Sequence, residues 1–120
     1  MLRQIIVSVA VSLGNIAIHA IVMTAAVSVL MAAHIAEVIV WSFAYAILGV
    51  APPGTDLLYF AFVNYTTLGY GDVTPLQQWR LLGPMTAMNG VLLFGWSTAV
   101  IYAVLSKTII TTGIEEELRL

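Results

Sequence analysis

The chain has no cysteine, so it offers no disulfide, no thiolate metal site and no thiol nucleophile. Charge is almost as scarce. Four Lys or Arg and six Asp or Glu in 120 residues make 8%, too few and too scattered for a nucleic-acid footprint or a polybasic lipid patch. No repeating arginine series is present, which excludes a voltage-sensor helix. No nucleophile with an attendant base can be assembled, so an enzyme has no support. Proline is confined to four positions and glycine to nine, leaving long stretches with nothing to interrupt a helix. What fills the space is oil: 61% of the residues are hydrophobic, far outside the range of a soluble domain. The composition is that of an integral membrane protein.

From Ile5 to Val50 the sequence is almost unbroken apolar residue, more than twice the roughly 20 residues that a spanning helix needs. Two crossings are expected there, about Leu2 to Met23 and Ala26 to Gly49, with a tight join near Thr24 to Ser28. No Gly or Pro marks that join. A secretory signal is the competing reading of the first segment, and Ala17-Ile18-His19-Ala20 is a poor cleavage site for it. Gly49 and then Pro52-Pro53-Gly54 stop the helix and turn the chain. Thr55 or Asp56 can cap the next one. Leu57 to Thr66 is half a spanning length and fits a re-entrant segment walled in by protein. After a polar stretch with Gln77, Gln78 and Arg80, a last apolar segment from about Leu81 to Leu105 is long enough to cross, and Lys107 closes it. The remaining tail is short, acidic and expected to be exposed. Basic residues do not orient a three-span chain: Arg3 and Arg80 balance Lys107 and Arg119.

Between the half-helix and the last span stands TTLGYGDVTP, Thr66 to Pro75. Irregular backbone at membrane depth survives only where protein buries it or water and ions fill it. Thr67 to Gly71 supplies a hydroxyl and a row of carbonyls, and aiming successive carbonyls one way requires alternating backbone handedness. Glycines at alternate positions permit that.

Thr66-Thr67-Leu68-Gly69-Tyr70-Gly71-Asp72 resembles the filter of the potassium channel pore family, and the likeness runs from about Leu57 to Leu105. The resemblance implies an all-α membrane fold. Residues 1–25 are an extra N-terminal transmembrane or interfacial helix and 26–107 the pore domain, with outer helix 26–50, pore helix 56–66, filter 67–71 and inner helix 81–106. A short tail, 108–120, follows. It also implies a homotetramer among membrane lipids, in the plasma (inner) membrane, with K⁺ as permeant ion and no organic cofactor. Carbonyls of Thr67, Leu68, Gly69 and Tyr70, with the Thr67 hydroxyl, would ring dehydrated K⁺, and Gly71 completes the filter. Asp72 would sit at the outer mouth, with Thr66, Tyr59 and Asn64 as support. Leu68 stands for the commoner Val, a side-chain change where only the carbonyl is used. Val63 stands where some relatives carry a bracing Glu, so Tyr59, Phe60, Asn64 and Tyr65 are the candidates to hold the filter instead. Gly90 and Gly95 bracket the position of a hinge glycine, or are close-packing sites.

His34 and Glu37 share a helix face near the middle of a span. They are read either as an internal polar pair locking the outer helix to its neighbours or as a proton-sensitive gate. His19 and Trp96 read as packing residues, and Asn89, Ser97 and Thr98 face either a cavity or a neighbouring helix. Two other functions remain: a weakly selective cation channel, and a non-conducting subunit of a larger channel or transporter. A transporter carrying four such loops in one chain does not fit in 120 residues.

Overall fold

A computed structural model describes residues 1–118, with side chains as far as Ile114. The described residues are helical and contain no strand: α1 (Leu2–Leu48), α2 (Leu57–Tyr65), a single 3₁₀ turn at Gln77–Trp79, and α3 (Leu82–Leu118).

The first correction concerns α1. The break expected at Thr24 to Ser28 is absent, and one helix of 47 residues replaces the two spans. Ending a helix leaves four N–H or four C=O groups without partners, and each costs several kcal/mol in hydrocarbon. With no Gly or Pro between Asn15 and Leu48 to satisfy a break, continuing is cheaper. Ser28 makes no competing turn either, because its hydroxyl donates back to the Thr24 carbonyl at 2.7 Å, inside the helix. The last helix also exceeds expectation. α3 continues through the tail to Leu118 rather than stopping near residue 106, since no Pro follows Lys107 and Gly113 alone does not end the helix. The expected exposure of the acidic tail falls on side chains outside the described residues.

Two compact units result, Met1–Leu30 with Thr98–Leu120, and Met31–Ser97. In the first, His19 Nδ1 lies 2.6 Å from the Asn15 carbonyl and Nε2 lies 3.4 Å from Thr112 Oγ1, so the ring is partnered. The second holds the loop motif. There α1 ends in a Schellman motif: Gly49 takes φ +62, its N–H reaches the Ala46 carbonyl, and Val50 N–H reaches Tyr45 at 3.1 Å. Val50 and Tyr45 are both fully buried and meet in the core, the hydrophobic contact that accompanies this cap. Asp56 then caps α2, its carboxylate accepting from the N–H groups of Leu58 and Tyr59, each at 3.1 Å. Nine residues make α2 about 14 Å long, half a membrane.

Phe60, Ala61 and Tyr65 of α2 pack with Val38, Tyr45 and Val50. The Tyr45 and Phe60 rings sit 5.3 Å apart. A polar chain crosses this core. Asn64 Nδ2 donates to the Tyr45 hydroxyl at 3.2 Å, Tyr45 to Thr86 Oγ1 at 2.5 Å, and Thr86 to the Leu82 carbonyl at 2.8 Å. Every donor has an acceptor, which is what burial requires. The loop returns beside the end of α1 through Leu76 N–H to the Val50 carbonyl, 2.8 Å.

Candidate functional site

The C-terminal end of α2 sets up the motif. Thr67 N–H bonds the Asn64 carbonyl at 3.1 Å and Leu68 N–H the Val63 carbonyl at 3.0 Å, the same Schellman pattern as at Gly49. Here the left-handed residue is Thr67, with φ +61, the sole non-glycine at positive φ among the described residues. A β-branched residue there costs on the order of 1–2 kcal/mol, and such strain gathers where function needs it. Gly69 and Gly71 follow at φ +61 and +76. Left-handed backbone therefore occurs at 67, 69 and 71, every second residue, which is the alternation that converging carbonyls require. In the single chain this segment is bare: Leu68 is 55% and Tyr70 67% exposed.

Asp72 is tied down by Tyr59, whose hydroxyl donates to Oδ2 at 2.7 Å. That carboxylate pushes the Tyr59 phenol up to about 12, because ionising it would break the bond and bring two negative charges together. The bond spans from the first turn of α2 to the end of the motif. Val63, in the position of the missing carboxylate brace, is buried. Thr66 turns its hydroxyl back to the Phe62 carbonyl at 2.7 Å, and Asn64 belongs to the Tyr45–Thr86 chain. A shallow depression behind the loop is lined by Val63, Asn64, Thr67, Gly69, Gly71 and Arg80, among others.

His34 and Glu37 meet α2 and α3 through side chains. His34 Nδ1 lies 2.8 Å from the Tyr65 hydroxyl and Nε2 lies 2.8 Å from Ser97 Oγ. Tyr65 donates to Glu37 Oε2, and that same oxygen lies 3.5 Å from His34 Nδ1. Phe94 flanks the group, 4.7 Å from the His34 ring and 5.4 Å from the Tyr65 ring. Tyr65 is 1% exposed and precedes Thr66-Thr67, so the network grips the end of α2 from which the motif departs.

The two glycines of α3 differ. A Cβ on Gly90 would collide with the Tyr65 carbonyl, whereas one on Gly95 would meet nothing within 4 Å. Gly90 is a close-approach site between α3 and α2. Gly95 keeps its freedom within the chain.

Sequence reasoning misses Tyr45 and Thr86, and of the two faces open to Ser97 the one toward a neighbouring helix is found, on His34. Their signal was present for α1: His34, Val38, Trp41 and Tyr45 recur at spacings of three and four, one helix face. Which face of α3 meets it had no such signal.

The sequence profile of an ion-channel family matches residues 33–107, more than half of the chain. Neither the curated proteins nor the solved structures gave a match. On that match, and with two helices long and apolar enough to cross a membrane, the chain belongs to the two-transmembrane ion-channel family that includes potassium-channel pore domains.

Proposed function

We propose that this protein is a K⁺-selective channel that conducts passively through a filter shared by four copies, in the plasma (inner) membrane. The observation that carries the reading is the left-handed backbone at Thr67, Gly69 and Gly71 within TTLGYGD, on a segment that a single chain leaves bare. Carbonyls of Thr67, Leu68, Gly69 and Tyr70 and the Thr67 hydroxyl replace the hydration shell of K⁺, with enough partial charge to bind the ion and too little to trap it. The C-terminal, partially negative end of α2 favours a cation beside it. Asp72, held by Tyr59, raises the local cation concentration at the mouth.

The weakly selective reading draws on Val63, which leaves the filter without the carboxylate brace. Both are tested by the purified chain alone in proteoliposomes. The expected result is K⁺ flux with a reversal potential that follows the K⁺ gradient in mixed K⁺ and Na⁺, abolished in Gly69→Val. A reversal potential indifferent to which cation carries the gradient establishes weak selectivity. Equal silence of wild type and variant refutes conduction and leaves the subunit reading.

A further inference from the structure

Proton accounting in the His34 network fixes its polarity. Tyr65 gives its single hydrogen to Glu37, so its oxygen can only accept from His34. Nδ1 of His34 therefore carries the proton, and in the neutral ring Nε2 must accept from the Ser97 hydroxyl. The bonds run one way, from Ser97 on α3 to His34 on α1, to Tyr65 on α2, and back to the Glu37 carboxylate on α1. Every site on the path is used once, and the chain ends on a charge. In the single chain the Glu37 side chain is 35% exposed and that of His34 13%. The titratable groups that face His34 are Glu37 on its own helix and Tyr65 on α2. From α3 it meets the Ser97 hydroxyl and the Phe94 ring.

We propose that His34, Glu37 and Tyr65 are positioning residues for the filter, and that the proton on the Glu37 end of the path decides how firmly they hold it. This rests on the channel reading above. With Glu37 ionised, Tyr65 donates to a charge, about twice as strong a bond as one to a neutral acceptor. The start of the filter is then anchored, because the Tyr65 carbonyl is at the same time pressed on Gly90 of α3 and two residues later Thr67 must hold a left-handed backbone. Protonating Glu37 removes the charge that orders the path. A neutral carboxyl can turn its own hydrogen on Tyr65, whose hydroxyl then has no reason to keep its direction, and His34 loses its ionic neighbour. Neutral Glu37 is therefore the loosened state, and conduction falls as pH falls.

The test is K⁺ flux through proteoliposomes of the full chain between about pH 8 and about pH 5. For wild type, a loss of flux toward the acid end of that range is expected. Glu37→Gln, a mimic of the neutral acid, should be low and flat across that range. Tyr65→Phe, which keeps both titrating groups and cuts their link to α2, should lose the pH response while remaining an assembled channel by size and thermal unfolding. A merely structural role would lower flux in these variants without changing the pH profile. The proposal is overturned if wild-type flux is level with pH, or if Glu37→Gln and Tyr65→Phe keep the wild-type profile. Should wild type carry no flux at any pH, the channel reading fails. The positioning claim is then decided by infrared difference spectra. A carboxyl band that is absent in Glu37→Gln, titrates in this range and shifts in Tyr65→Phe supports it. The lack of any such band refutes it.

Discussion

Replacing Gly90 by Ala separates two physical roles by the sign of a stability change. In an α-helix interior, Gly→Ala stabilises by about 1 kcal/mol, because the unfolded glycine has more backbone freedom to lose. A hinge glycine would show that gain in full, together with a stiffer inner helix. At Gly90, however, the added methyl overlaps the Tyr65 carbonyl, a backbone atom that no rotamer change can move. Tyr65 is buried, bonded to His34 and Glu37, and stacked edge-on to Phe94, so α2 cannot recoil without disturbing that network. Overpacking of this kind costs about 1–3 kcal/mol, which exceeds or matches the propensity gain. Gly90→Ala should therefore be destabilised by up to about 2 kcal/mol. Gly95→Ala, with open space at its Cβ in the chain, should gain up to about 1 kcal/mol. Denaturant unfolding of both variants in the same detergent measures the difference. A Gly90→Ala protein at least as stable as wild type, with flux intact, would refute the close-packing argument and restore Gly90 as a hinge.

Tyr45→Phe should destabilise by about 1–3 kcal/mol, since it strips the acceptor from Asn64 Nδ2 and the donor from Thr86 within a buried chain. An unchanged unfolding midpoint would show that the chain is dispensable. Tyr59→Phe frees Asp72 and should shorten the time for which flux persists after K⁺ is added, with little effect on assembly; persistent wild-type flux counts against the brace. The wild-type Tyr59 phenol is raised from 10.0 to about 12, so the bond contributes fully below pH 10 and its contribution is lost as pH rises through 12. A phenolate absorbance titration of wild type against Tyr59→Phe reads this directly.

The helix ends were legible because they are written in local chemistry. Gly49 with the Pro52-Pro53-Gly54 turn stopped α1, Asp56 capped α2, and the alternating glycines of the motif announced alternating handedness. The join inside α1 was misread because the expectation came from length: a span needs about 20 residues, so a run of twice that was divided. Length alone does not break a helix, and the residues at 24–28 carry nothing that would. The end of α3 was misplaced for the same reason, since Lys107 marks a change of polarity and leaves backbone bonding untouched.

The amino-acid sequence by itself determined the class of molecule and the segment that matters. Composition excludes soluble and thiol chemistry, and TTLGYGD carries its backbone geometry in its glycines, because conformational freedom is a property of single residues. Only the tertiary structure decided what holds that segment. The partners of Tyr65 are Glu37, 28 positions earlier, and His34, 31 positions earlier; His34 reaches a further 63 positions to Ser97. Asp72 is held by Tyr59, 13 residues away, and Gly90 acquires its meaning from a carbonyl on another helix. An apolar helix can turn any face to its neighbour at little cost in lipid, so the pairing of polar side chains between helices is fixed by how the helices pack, and no single helix encodes it.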